Sequence, residues 1–418
     1  MKKRSIFTLA VFALSLLSAS SIYADKAKLT VWGIDIPDDD PNHTYAKALV
    51  TTFQAKYPDI QLDWVALGND PLKDKVKVTM ASGSGLPDVM QGWGGSVMGG
   101  YADAGQLLDI SAAAKNIPIS PAAASAMTWK GKVYGVAPIF AVAGVFVNDG
   151  IFKANNLTYP TTVEGFEAVC NTLLAKGIQP FACGVKDKWP ALALYMYLTD
   201  RYGGTAAFVN AATRKGSFDA DPFVKAAQVY QKWVKAGYFG ATPLGEAYGD
   251  AQQLMATGKA AMHLTGSWMC GTYDSKDFTD QTISFHAFPA LKTGGVGPAT
   301  DIMGMTDIGF IVTKAAKGKE DAVAKFLAVA ASPEVVAASG RLSGVPKVTV
   351  KDALVQQAAG VFATAKNVTF WWDQDLPPAV TSPLNDTIQS FFQPDTDVKK
   401  ALTAYEATVT DAMGPVKK

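Results

Sequence analysis

The sequence predicts an α/β protein folded as two lobes. Three observations carry this. Near the start, strand and helix patterns alternate as β-α-β-α-β, the order of a parallel sheet covered by helices. From Thr161 to about Ala260 helical periodicity dominates, and strand patterns return after it. No repeat, low-complexity run or long linker separates the parts, which fits two lobes woven by several crossings better than beads on a string.

Leu29-Thr30-Val31-Trp32 reads as a buried opening strand, and a polar loop follows at Asp38-Asp39-Asp40-Pro41-Asn42. Tyr45, Leu49, Phe53 and Tyr57 recur every four residues, the spacing of one helix face, and Pro58 stops that helix. Ile60 to Leu67 alternates as a strand. Pro71 opens another helix that ends near Gly83. Pro87-Asp88-Val89-Met90 is a short strand leading into a glycine-rich turn around Trp93. Val142 to Val147 is an apolar strand and the expected crossing into the second lobe. One helix then carries Phe166, Val169 and Leu173; another carries Phe223, Ala227, Tyr230 and Val234. Met262-His263-Leu264 is a strand ending at Gly266-Ser267-Trp268, and Ile308 to Val312 is a further one. Val323, Phe326, Leu327 and Ala330 mark a helix. Ser332-Pro333-Glu334 begins the next, with Ser as N-cap, Pro at the first helical position and an acid in the first turn; Gly340 ends it.

Residues 1–24 have the layout of a cleavable secretory signal peptide and stand outside the fold. Lys2, Lys3 and Arg4 form a positive start, Ile6 to Leu17 an apolar stretch too short for a membrane span, and small residues lead to Ala24. Cleavage is expected after Ala24, although Ile22 is bulky for its position. No Cys stands near that bond, so no lipid anchor is expected, and the periplasm is the expected location.

Charge and motifs exclude several function classes. Without Lys2, Lys3 and Arg4, 35 of the 38 cations remain against 37 acids, a balance without the basic surplus of a nucleic-acid binder. Gly258-Lys259 lacks the rest of a P-loop, and Gly94-Gly95-Ser96-Val97-Met98 misses the last glycine of a nucleophile elbow. Gly83-Ser84-Gly85 reads as a helix stop. Three histidines, His43, His263 and His286, are too few for a histidine-rich metal site, and neither metal nor cofactor is expected. His263 lies in an apolar strand and reads as a core residue. Cys170 and Cys183 are placed to bridge a helix to the following strand, a link worth about 3 kcal/mol in the chain-entropy model. The alternative is three buried thiols, Cys270 included, and sequence alone does not choose.

What the chain does offer is aromatic side chains beside polar ones at the ends of elements. A sugar ring presents a face of C–H groups and a rim of hydroxyls; a tryptophan covers the first, and carboxylates, amides and arginine take the second. Trp371-Trp372-Asp373-Gln374-Asp375 is the densest such cluster, and two adjacent tryptophans on one strand would point to opposite faces. Trp268 follows Gly266-Ser267, where the backbone allows close approach. Trp93 sits between Gly92 and Gly94 after a strand, the position where α/β sheets take ligands. Asp307 interrupts an apolar strand, and its carboxylate needs partners: ligand hydroxyls or backbone donors.

Taken together, ordered segments of the chain resemble the extracellular solute-binding proteins of ABC importers, the sugar-binding family that includes maltose-binding protein. Ala81-Ser82-Gly83-Ser84-Gly85-Leu86-Pro87-Asp88-Val89 resembles its "ASGxxPDV" stretch, and Gly131-Lys132-Val133-Tyr134-Gly135-Val136 its "GKxYGvP" stretch with Ala137 intervening before Pro138. Gly258-Lys259-Ala260-Ala261-Met262 with Gly266-Ser267-Trp268 resembles "GkaAMxxxGsW". Lys325-Phe326-Leu327 through Ser332-Pro333-Glu334 resembles "kFLxfxxSpE". The segments cover essentially the whole chain after the leader.

The resemblance implies the two-lobed periplasmic-binding-protein fold, each lobe a mostly parallel sheet flanked by helices, with a sugar cleft between them. The implied N-terminal lobe is 25–140 plus 306–344, and the C-terminal lobe 141–305 plus 345–418. It also implies hinge closure around the ligand, delivery to a membrane permease, a monomer and no catalytic activity. By motif it assigns ligand contacts to Trp93 and Gly94, to Trp268, to Asp307, and to Trp371, Trp372, Asp373 and Gln374. Asp35, Asn69, Trp189 and Arg341 are further candidates. Two rivals remain: the same fold around a charged solute such as a polyamine or phosphate ester, and a secreted glycoside hydrolase using Asp307 and Asp373.

Overall fold

The computed structural model describes residues 27–34 and 43–417. The leader, Asp35 and the polar loop after it lie outside these residues. Ten strands form one mixed sheet among the described residues: β1 (Ala27–Ile34), β2 (Ile60–Leu67), β3 (Val89–Gly92), β4 (Gly135–Asn148), β5 (Gln179–Ala182), β6 (Ala260–Gly266), β7 (Ile283–His286), β8 (Asp301–Val312), β9 (Leu342–Ser343) and β10 (Asn367–Phe370). The order along the main path is β2-β1-β3-β8-β4-β6-β5, with β7 and β9 on β4 and β10 on β8.

The predicted β-α-β-α-β opening forms. β1 pairs with β2 and with β3 in parallel, across the helices His43–Lys56 and Asn69–Ser82. Tyr45, Leu49 and Phe53 face inward against Phe310 and Phe326, as the four-residue spacing requires. Gly83 ends the second helix in the left-handed region, φ 67°, its N–H bonded to the Thr79 carbonyl.

The parallel pattern breaks at the centre. β4 and β8 are long strands, entirely buried, that pair antiparallel with each other and pass through both lobes. The stretches read from sequence as short strands at Val142–Val147 and Ile308–Val312 are parts of these. Apolar packing on the two sides is separate: Leu29, Phe53, Ile308 and Phe326 share one core, and Phe166, Trp233, Met262 and Tyr405 another. The helices Val163–Ala175 and Asp221–Lys235 supply Phe166, Val169, Leu173, Phe223 and Tyr230 to the second core.

Three expectations need correction. Cys170 and Cys183 do not form a disulfide: both are free and buried, like Cys270. Both pack into the same apolar core, and burial pushes the Cys183 thiol up to about 12. The tryptophan pair does not lie on one strand. β10 stops at Phe370, Trp371 caps the short helix Trp372–Asp375, and the helical turn separates the two rings. Finally, Ser332 stands at the N-cap of Pro333–Ala337, but its hydroxyl is buried and makes no capping bond.

Candidate functional site

A cleft of about 470 Å³ opens where the two lobes meet. Its floor comes from the crossing strands. β8 shifts register against β4 between Thr306 and Ile308. A residue unpaired in a ladder bends its strand and re-aims its side chain, and Asp307 is that residue. It lines the cleft yet is 7% exposed.

Within the protein the partner of Asp307 is a side chain, not a backbone donor. Arg341 reaches it from the segment before β9, with Nη1 donating to Oδ2 at 2.7 Å. Burial raises the Asp307 pKa, and the guanidinium pulls it back down. Arg341 itself keeps a buried Nε–H with no acceptor among the described residues.

One wall is aromatic. Trp268 begins a turn after β6; a Cβ at Gly266 would lie 2.0 Å from its ring, so glycine there makes room for it. The Trp268 indole N–H donates to the Tyr248 hydroxyl at 2.7 Å, and that hydroxyl also bonds Thr265 at 2.9 Å. Trp371 lies 5.4 Å from Trp268 between ring centroids, and Trp189 lies 5.9 Å from it. Four rings from four separate segments thus meet: Trp189 opens the helix Trp189–Ala212, and Tyr248 opens Tyr248–Ala256.

The opposite wall belongs to the first lobe. Trp93 follows β3, as its motif position implies, and the Lys73 ammonium sits 5.0 Å from its ring centroid and 5.8 Å from that of Trp189. Asn69 is at the exposed rim, its amide donating to Asp70 Oδ1 at 3.0 Å. Asp373 and Gln374 close the floor from the C-terminal side. Asp373 is buried with Oδ1 unpartnered; burial raises its pKa, with Lys73 pulling the other way.

Most of the residues chosen from sequence therefore converge on one cleft: Trp93, Asn69, Trp189, Trp268, Asp307, Arg341, Trp371, Asp373 and Gln374. Trp372 does not. Its ring stacks on Phe208 at 4.7 Å and 4° inside the core. Gly94 lies beside the cleft and serves the backbone: φ is +82°, and a Cβ would meet the Ala126 carbonyl oxygen at 2.2 Å. Asp35 lies outside the described residues. Sequence reasoning missed Trp64, Lys73, Gln91 and Tyr248, which also line the cleft. Trp64 carried a readable signal, an aromatic in an alternating strand; Lys73 and Tyr248 looked like ordinary helix residues.

Four aspartates and two cations line the cleft. Asp307 is paired with Arg341, and Asp187 accepts from the Tyr248 backbone N–H at 2.7 Å. No cluster of three or more metal-ligating side chains occurs among the described residues. No described helix is long and apolar enough to cross a membrane.

Comparison with known proteins places this architecture. A curated relative from Pyrococcus horikoshii, an uncharacterised ABC transporter extracellular-binding protein, is 26% identical over 254 residues, 58% of this chain. The match spans 56% of that relative, little more than half its length. A solved structure described for xylan utilisation by Caldanaerobius polysaccharolyticus superposes with a TM-score of 0.84 at 25% identity, covering 91% of this chain and all of the other. A chitin oligosaccharide binding protein superposes at 0.85 with 23% identity, covering 93% and 99%. The profile of the bacterial extracellular solute-binding proteins matches residues 40–337, well over half the chain, and the protein belongs to that family.

Proposed function

We propose that this protein is the sugar-binding component of an ABC importer, capturing a saccharide between its lobes and handing it to a membrane permease. The observation that carries this is the meeting of Trp189, Tyr248, Trp268 and Trp371 on one wall of a cleft floored by Asp307, Arg341 and Asp373. Indole faces suit the C–H face of a pyranose, and fixed carboxylates and a guanidinium suit its hydroxyl rim. The xylan-utilisation context of the Caldanaerobius protein agrees with such a ligand.

The lobes are residues 25–140 with 306–344, and 141–305 with 345–418. β4, β8 and the segment around Ser343 join them and serve as the hinge. Sugar touches both walls only in the closed form and so shifts the population toward closure, the form the permease accepts. The protein works as a periplasmic monomer after removal of residues 1–24, and it performs no chemistry on its ligand. The Asp307 carboxylate is taken up by Arg341 Nη1 at 2.7 Å and is not free to reach a glycosidic oxygen, which counts against hydrolysis. The cleft's excess of aspartate disfavours a phosphate ester, and the two cations on its lining, Lys73 and the Arg341 that already pairs with Asp307, disfavour a polyamine.

A thermal-shift screen of the mature protein tests the reading, with neutral mono-, di- and trisaccharides beside polyamines and phosphate esters. A ligand at a hundred times its Kd adds about 2.7 kcal/mol, a shift of a few degrees. Stabilisation by a neutral sugar class is expected. A response only to charged solutes refutes it.

A further inference from the structure

The cleft does not end at its aromatic wall. A second compartment of about 260 Å³ continues past it, between the helix Asn69–Ser82 and the helix Pro378–Ser390. Alone it falls below the roughly 300–1,000 Å³ typical of small-ligand sites, so it reads as an extension of the larger one. Lys73, Trp93, Trp189 and Asp373 line both compartments and form the partition between them.

Two details of that partition bear on the ligand. Lys73 projects from the first lobe between Trp93 and Trp189, an indole from each lobe. Among the described residues its nearest carboxylate oxygen is Asp70 Oδ1 at 4.0 Å, and its side chain is about one-third exposed. It is held by ring faces more than by a fixed hydrogen bond, and its long stem can move aside. Behind it Asp373, 5% exposed, has Gln374 and Asn385 beside its carboxyl but presents an Oδ1 with no donor at hydrogen-bond distance among the described residues, and Asn385 Oδ1 in the second compartment is likewise unpartnered. Buried acceptors left open cost free energy unless something donates to them, and two of them on one path mark where ligand hydroxyls go.

We propose that the cleft takes a saccharide of at least two units lying across both compartments, with Asp373 Oδ1 accepting from a hydroxyl at the partition and Lys73 setting the length that fits. This rests on the sugar reading above and adds the length class and its determinant. Lys73 narrows the passage between the two compartments, so it limits how far a longer saccharide extends into the second one. Shortening it opens the path without touching the Trp268 and Trp371 wall.

The test is isothermal titration of wild type, Lys73→Ala and Asp373→Asn against one-, two-, three- and four-unit members of the glucose, xylose and N-acetylglucosamine series. Wild type is expected to bind a two- or three-unit sugar at least tenfold more tightly than its monosaccharide. Lys73→Ala should shift the preference toward the next longer member by about tenfold. Asp373→Asn should weaken the preferred oligomer by about tenfold, the difference between a charged and a neutral acceptor, and the monosaccharide by less. Alanine at a half-buried helix position such as Lys73 favours the helix, and matched melting curves check that both variants are folded. Equal affinity for monomer and oligomers, or one length profile in wild type and Lys73→Ala, overturns this proposal and leaves the sugar reading standing. No binding to any of the three series overturns both.

Discussion

Replacing Arg341 with methionine isolates what the buried ion pair does. Arg341 and Asp307 side chains are 7% and 9% exposed, and their 2.7 Å contact is the guanidinium's hold on the crossing strand β8. At an effective dielectric of about 20, unit charges ~4 Å apart attract by ~4 kcal/mol. Most of that offsets the cost of burying both groups, so the pair's net contribution is small. Removing one partner is different, because it leaves a buried carboxylate alone, and the expected loss is about 3–5 kcal/mol in urea unfolding at pH 7.5. The double variant Asp307→Asn/Arg341→Met should recover most of it.

The pH dependence supplies a second reading of the same variant. Burial already holds the Asp307 pKa above its ordinary 3.8, and Arg341 restrains the rise. Without Arg341 the folded-state value climbs further. A carboxylate with a raised folded pKa is protonated more readily in the native state, so stability falls as pH rises from the ordinary value through the folded one. The deficit of Arg341→Met is therefore largest above that folded value and shrinks as pH is lowered toward 4. A loss under about 1 kcal/mol, unchanged between pH 8 and pH 5, would show that water reaches the pair and would refute the argument.

Three further outcomes follow from the geometry. Trp268→Ala should weaken saccharide binding by at least about 30-fold, a loss of ~2 kcal/mol or more typical of a buried aromatic anchor, while Trp268→Phe keeps a ring face and loses less; titration calorimetry separates them. Gly94→Ala puts a Cβ at 2.2 Å from the Ala126 carbonyl oxygen at φ +82° and should lower stability by more than about 1 kcal/mol, read from urea unfolding. Thiol titration at pH 8 should find Cys170, Cys183 and Cys270 unreactive in the native protein and all three reactive in denaturant; one reactive thiol in non-reducing denaturant would restore the disulfide.

The elements legible in the sequence were those whose residues face one environment along one short segment. Tyr45, Leu49 and Phe53 declared their helix by spacing, Gly83 declared its end, and the strands around Val31 and Met262 declared themselves by apolar content. Aromatic-polar juxtaposition at element ends pointed to Trp93, Trp268, Trp371, Trp372 and Asp373, and an acid in an apolar strand to Asp307, because the chemistry of a sugar face narrows the residue types.

Tertiary structure alone decided which of these meet and in what order of contact. Adjacent Trp371 and Trp372 were indistinguishable in sequence; a helical turn sent one to the cleft and the other against Phe208. The partner of Asp307 lies 34 positions away and arrives only when β9 docks on β4. Lys73 carries no local sign of a role, since its position between Trp93 and Trp189 depends on two lobes approaching each other. Periodicity reports a residue's average surroundings along its own element, whereas a cleft is built from contacts between residues far apart in the chain. Those contacts depend on sheet order, register and one bulge at Asp307, and these are set by packing over the whole molecule.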